Sequence, residues 1–414
     1  MRAPGALVAL LIAASSISAE QIVSGSVLDA ATGQPIAGAT VTFAGRAIRT
    51  DERGAFQVGG EGDAIGVRAS GYRRESLSLH KLADADSAIR LEPFVPKALY
   101  LSVYGIQSLA LRTPALRLVA ETELDALVID VKGDRGQVSF RSSVPLAAQS
   151  GTQAVIAEEP KALFAGLKAQ GIYLIARIVV FKDDRLAEAR PDLAVKGPGG
   201  APWRDREGLG WSDPFQREVR DYNVDLAVEA ASDGFDEIQF DYVRFPDEKD
   251  LVFAESNTRE ARVRAIDGFL AEARQRLVPY NVFLSADVFG YVCWNVDDTG
   301  IGQEIESLAP EVDTVSPMLY PSGFQFGIPG YRNPVQHPYE IVYLSLARAK
   351  ERTGLPGSRF RPWLQAFRDY AYDHRPFGAD EIRAQIRGAE AAGSNGWMLW
   401  NPHNVYSEEG LEKK

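Results

Sequence analysis

The chain of 414 residues has one cysteine, Cys293, four histidines and three methionines. A lone thiol excludes any disulfide within the chain, so stability must come from a large core, which 45% hydrophobic composition can supply. His80, His337, His374 and His403 show no metal-ligand spacing, and no HExxH pair occurs. Also missing are a GxSxG elbow, a phosphate-cradling glycine loop and a calcium-loop pattern, although Asp297 and Asp298 stand side by side. No metal and no cofactor is implied. Basic residues are in deficit, with 45 Lys and Arg against 56 Asp and Glu, a formal net charge of −11. An acidic surface repels phosphate backbones and anionic lipids, which argues against nucleic acid and leaves neutral or cationic substrates.

Long apolar runs are absent as well, since nothing approaches the ~20 residues that span a bilayer. The run from Ala6 to Ala14 follows Arg2 and leads into small residues up to Ala19, the layout of a secretory signal peptide over residues 1–19. The expectation is a secreted or periplasmic protein, with no membrane insertion once that segment is removed. No feature of the sequence speaks to oligomeric state.

What is present divides in two. Over residues 20–95, short alternating runs (IVSGSVLD, TVTFAG, AIRTDERG, AFQV, IGVRASGY, ESLSL, AIRLEP) are separated by Gly, Pro and Asp turns, without helical periodicity. This pattern predicts a small all-β sandwich. The string VSGSVLDAATGQPIAGATVTFAGRAIRTDERGAFQV resembles the carboxypeptidase regulatory-like domain, a transthyretin-like sandwich, and that resemblance implies a spacer or binding module rather than a peptidase.

Over residues 96–414 the pattern changes to strands alternating with amphipathic helices. Eight strands are expected, at 98–105, 126–133, 172–181, 237–245, 282–290, 312–320, 360–367 and 396–401. Phe215, Val219, Tyr222 and Leu226 share one helical face before the fourth strand, and Ile266, Phe269, Leu270, Ala273 and Leu277 share another after it. Eight such units predict a (β/α)8 TIM barrel; a doubly wound open sheet is the alternative. The expected fold is therefore multidomain, a small sandwich followed by an α/β barrel.

Parallel strands bring all their C-terminal ends to one mouth, so polar residues at those ends are the candidate site. Asp241 leads them, at the end of the strand in DGFDEIQFDYVRFP, where Ile238, Phe240 and Tyr242 alternate with Gln239 and Asp241. Tyr104, Asp130, Lys132, Arg177, Gln239, Asp287, Tyr320, Gln365, Trp400 and Asn401 complete the set. Carboxylates, amides and aromatic rings together are the composition of a sugar site. Plainer readings stand beside this one. Asp130 and Lys132 could form an ion pair, Arg177 could pair with its neighbours, Gln239 could satisfy backbone groups, and Trp400 could plug the core. Trp203 and Trp211, in the long loop before the fourth strand, are candidates for a lid or rim.

The combination of LVIDVKGDRG, WSDPFQREVRDYNVDLAVEAASDGFDEIQFDYVRFP, SADVFG, SPMLYPSGF and WLQAF resembles a family of glycoside-hydrolase-like barrels of largely uncharacterised specificity, over nearly all of Lys97 to Asn401. The resemblance implies a catalytic Asp at the end of the fourth strand, Asp241, and a second carboxylate on the fifth. Asp287 stands there, an Asp where many related barrels carry Glu. Glycosidic cleavage needs one carboxyl group protonated and one ionised, and strands ~4.8 Å apart can bring two within reach of one bond. The expected roles are nucleophile or charge stabiliser for Asp241 and acid/base for Asp287, with Arg244 or Arg177 keeping Asp241 ionised. Asp130, Lys132, Tyr104, Gln239, Arg244, Tyr320, Gln365, Trp400 and Asn401 are the expected substrate-binding residues. The function expected is a secreted glycoside hydrolase acting on a poly- or oligosaccharide; the alternative is a non-catalytic carbohydrate-binding or envelope scaffold protein on the same fold.

Overall fold

The computed structural model describes residues 21–152 and 160–414, so the expected signal segment, residues 1–19, lies outside the described residues. The N-terminal region contains β1 (Gln21–Asp29), β2 (Thr40–Phe43), β3 (Arg46–Arg49), β4 (Ala55–Gly60), β5 (Ala64–Arg68), β6 (Glu75–Ser78) and β7 (Ala88–Leu91). They form two sheets, β4-β1-β7 and β3-β2-β5-β6, packed over a common core of Val27, Val41, Phe43, Phe56, Ile65, Val67 and Ile89. Alternation accounts for the packing: along β4, Phe56 and Val58 are buried while Ala55 and Gln57 face water. One element departs from the all-β expectation, a six-residue helix Leu79–Asp84 that buries only Leu82. Ser78 caps it, accepting the Lys81 N–H at 3.4 Å, and so short a helix is too brief to show a periodicity in sequence.

The second region closes into an eight-stranded parallel barrel of β8 (Lys97–Leu101), β9 (Ala126–Lys132), β10 (Tyr173–Val179), β11 (Glu237–Asp241), β12 (Phe283–Phe289), β13 (Thr314–Met318), β14 (Trp363–Gln365) and β15 (Trp397–Trp400). Closure through β15–β8 pairing excludes the open-sheet alternative. Every residue of β9, β10 and β11 is buried, because helices cover the outside and side chains fill the inside. The helices Arg217–Ser232 and Arg259–Leu277 pack the apolar faces read from sequence, with Val219, Tyr222, Leu226, Ile266, Phe269 and Leu270 all buried.

The sandwich docks on the face of the barrel where the strands begin. Arg68 pairs with Asp313 at 3.1 Å just before β13, and Arg74 pairs with Asp236 at 3.1 Å just before β11. Asn281, in a left-handed conformation before β12, donates to the Glu75 carbonyl at 2.9 Å. The opposite face, where the strands end, is therefore left to the mouth.

Candidate active site

The inward-facing residues of the barrel lie in layers, charged at the bottom, largely apolar in the middle and charged again at the mouth. Low in the barrel, Arg361 donates to Glu237 at 2.8 Å and the Tyr173 hydroxyl donates to the same carboxylate at 3.0 Å. Above them lie Tyr100, Val128, Ile175, Trp363 and Met398. The top layer is a cluster centred on Arg177, a buried guanidinium that meets three carboxylates. It donates to Asp241 at 2.6 and 2.9 Å, to Asp130 at 2.7 Å and to Asp134 at 2.8 Å. Its carbon also lies 4.8 Å from the Trp400 ring, which stacks on Tyr100 with centroids 3.9 Å apart.

Asp241 is thus held on both oxygens. Arg177 binds Oδ2, and the backbone N–H of Tyr242 donates to Oδ1 at 2.6 Å. That second bond depends on an unusual turn: Tyr242 has φ +48°, a left-handed conformation that costs a non-glycine residue of order 1–3 kcal/mol. Asp241 is 4% exposed and lines a cleft of ≈ 210 Å³ with Tyr242, Arg244, Phe289, Tyr320 and Phe324. A larger concavity, ≈ 670 Å³, lies on the outer surface along the helix Arg259–Leu277 beside Glu304 and Glu311; no strand-end residue lines it, so the chemistry is placed in the smaller cleft.

The register that pairs Phe240 with Ala286 makes Asp241 and Asp287 neighbours at the next step along β11 and β12. Asp287 is completely buried, and neither carboxyl oxygen has a hydrogen-bond partner. Burial first, and the Asp241 carboxylate beside it, raise its pKa well above the ordinary carboxyl range, which favours the protonated form. The Trp363 indole favours the charged form but does not reach hydrogen-bonding geometry. Asp130 is pushed up to about 6 by burial, against the opposing pull of Arg177. It accepts the Tyr100 hydroxyl at 2.7 Å.

Several expected binding residues lie elsewhere. Lys132 does not face the mouth or pair with Asp130. A register shift in the β9–β10 ladder pairs Arg177 with Asp130 but Ile178 with Lys132, which turns Lys132 outward between barrel and helices. There it is fully buried, 2.6 Å from Asp183, and donates to Asn223 at 2.9 Å. Tyr104 is not on a strand; it is 65% exposed in a short helix, Val103–Gln107, because β8 ends at Leu101 and Ser102 caps that helix. Tyr100 occupies the inward position instead.

Gln239 sits one layer below Asp241, donating to Ser316 at 3.3 Å, with its carbonyl oxygen unpartnered. Gln365 is buried and pins a loop, accepting the Ser322 N–H at 3.0 Å and donating to its hydroxyl at 2.7 Å. Asn401 likewise holds a turn, donating to the Ala366 carbonyl at 2.7 Å and accepting the His403 N–H. Arg244 and Tyr320 do line the cleft, and Trp400 lies within the Arg177 cluster.

Sequence reasoning passed over Tyr100, Asp134 and the centrality of Arg177. Alternation along β8 marks Tyr100 as inward, since Leu99 and Leu101 belong to the outer core. Nothing local marks Asp134, which lies in the loop after β9 and meets Arg177 only because β9 and β10 pair side by side. Among the described residues, no group of three or more His, Cys, Asp or Glu side chains is arranged to hold a metal ion. The Asp130, Asp134 and Asp241 carboxylates surround a guanidinium.

Known proteins share parts of this sequence and fold. A hypothetical protein from Ruminiclostridium thermocellum is 36% identical over 46% of this chain and 97% of its own, with a TM-score of 0.41. The PgaB (BpsB) glycoside hydrolase domain from Bordetella bronchiseptica is similar in fold, with a TM-score of 0.55 at 14% identity, covering 75% of this chain and 95% of that domain. The PelA glycoside hydrolase domain from Pseudomonas aeruginosa reaches 0.45 at 17% identity, covering 75% and 96%. No match was found among curated proteins. Residues 98–406, which include the whole Arg177 cluster, match the family described as "Putative glycosyl hydrolase domain". The chain belongs to that glycosyl hydrolase domain family.

Proposed function

We propose that the protein is a secreted or periplasmic glycoside hydrolase that cleaves a poly- or oligosaccharide at the mouth of the barrel. Asp241 is the carboxylate that meets the sugar, as nucleophile or as stabiliser of the developing positive charge, and Asp287 supplies the proton to the leaving oxygen. The observation that carries this is the contrast between the two neighbours: Asp241 is paired with a guanidinium and lines the cleft, while Asp287 is fully buried with no partner on either oxygen, which favours its protonated form. Two adjacent carboxyl groups driven to opposite roles by their surroundings are the requirement for glycosidic acid–base chemistry. Arg177 holds Asp241 in place, and Arg244, Tyr320 and Trp400 bind sugar hydroxyls and faces. In this reading residues 1–19 are a signal peptide, residues 20–95 a carboxypeptidase regulatory-like accessory module and residues 96–414 the catalytic barrel.

Among the described residues no helix is long and apolar enough to cross a membrane. The second reading, a carbohydrate-binding barrel without turnover, draws on one observation: Asp287 has no exposed surface in the unliganded cleft. Reducing-end release from a panel of bacterial polysaccharides separates the two. The wild type is expected to release ends from one of them, and Asp241→Asn to lose about 10²-fold or more of that rate. Binding of a glycan with no release by the wild type would establish the scaffold instead.

A further inference from the structure

A second cleft, ≈ 240 Å³, lies beside the first and shares two of its walls, Tyr242 and Arg244. Its other walls are Trp203, Trp211 and Lys182, with Asp247 among the carboxylates on its rim. Each cleft alone is smaller than the roughly 300–1,000 Å³ usual for ligand sites, whereas the two joined fall within that range. The partition between them is formed by Tyr242 and Arg244, side by side. The left-handed turn at Tyr242 sets its ring edge-on to Trp211, centroids 5.7 Å apart, and the Arg244 guanidinium lies 4.9 Å from Trp211 and 5.1 Å from Tyr242.

The second cleft is built rather than incidental. Its tryptophan loop is folded back on itself through bridges between Lys182 and Trp211 and between Arg204 and Gly210. Asp205 locks the tip, accepting the Glu207 and Leu209 N–H groups and the Trp211 indole at 3.0 Å. Trp211 is buried as the back wall, and Trp203 is the half-buried ring left beside the cleft. A rigid aromatic wall with polar groups at its edge is suited to the flat face and hydroxyl rim of a sugar.

We propose that this cleft is a second sugar subsite, so that the mouth takes an internal stretch of a glycan chain lying across Tyr242, and the enzyme cuts within chains rather than from their ends. The rim carries Asp205, Glu207, Asp247 and Glu248 against Lys182, Arg206 and Arg244, an acidic excess that favours neutral or amine-bearing chains over uronic acid polymers. The inference rests on the glycoside-hydrolase reading for cutting, but its binding half can be measured without turnover.

Calorimetric titration of the full chain carrying Asp241→Asn, with size ladders of N-acetylglucosamine, glucosamine and glucose oligomers, tests that half. Affinity is expected to climb with chain length in at least one neutral or amine-bearing ladder. Adding Trp203→Ala should remove the climb, about ten-fold for the longest oligomer, and Trp203→Phe should restore most of it. Length-dependent binding indifferent to Trp203→Ala overturns the subsite while leaving the hydrolase reading intact. So does a wild-type digest of a polymer that yields only monosaccharide from the outset, instead of a spread of intermediate oligomers. Failure of every ladder to bind, with no polymer cleaved, overturns both.

Discussion

Replacing Asp287 by Asn probes the least ordinary group in the barrel. The substitution keeps shape and volume, deletes the proton that the carboxyl would donate, and removes a group whose charged form burial disfavours. The sign of the stability effect comes from proton counting. An unfolded Asp releases its proton near pH ~3.9, while the folded Asp287 holds it to a much higher pH. Between those two points the native state binds one more proton than the unfolded state, so stability falls as pH rises, by about 1.4 kcal/mol per unit. Above the folded value the loss is complete and stays.

Asn has no such slope. Urea denaturation of both proteins from about pH 4 upward should therefore show Asp287→Asn gaining on the wild type until the pH passes the point at which folded Asp287 ionises, after which the difference stays constant. Activity should move the other way, with kcat/KM lower by about 10²–10⁴, the range for loss of a general acid. A pH-independent stability difference would refute the assignment of a buried, protonated Asp287. Undiminished turnover would refute its catalytic role while leaving its burial untouched.

The same cluster sets two further outcomes. Asp130, pushed up to about 6, should titrate near that value by carbon NMR, and its raised pKa should lower stability by about 3 kcal/mol between pH ~4 and 6; a midpoint below 4 would show that the Arg177 pairing outweighs burial. Arg177→Met strands Asp130 and Asp241 without their guanidinium and should cost about 3–5 kcal/mol in denaturant titration at pH 7, whereas a loss under 1 kcal/mol would mean that the cluster is solvated.

The barrel was legible because its strands and helices carry different periods. Eight strand runs and two well-patterned helical faces can be located from residue spacing, and alternation within β11 points Gln239 and Asp241 inward. The site was less legible because pairing is decided by neighbours far apart in the chain. Lys132 sits two residues after Asp130 and should share its face, yet the one-residue slip between β9 and β10 sends it to Asp183 on the other side of the sheet. Tyr104 was read as strand because an apolar run continues past Leu101; the Ser102 cap, which starts a helix there, depends on a hydroxyl that also donates to Asn404 at 2.6 Å from the far end of the chain.

The sequence by itself determined a two-part molecule, a small sandwich ahead of a barrel, and put Asp241 at the end of the fourth strand, because those features depend on local periodicity and turn chemistry. Tertiary structure decided the rest. Pairing of β9, β10 and β11 gathered Asp130, Asp134 and Asp241 around one guanidinium, packing of the barrel interior sealed Asp287 beneath the cleft, and ion pairs set the sandwich against the strands' beginnings so that their ends stay open. The charge state and accessibility of a carboxyl group depend on what surrounds it in space, and that is settled only when strands far apart in the chain pair side by side.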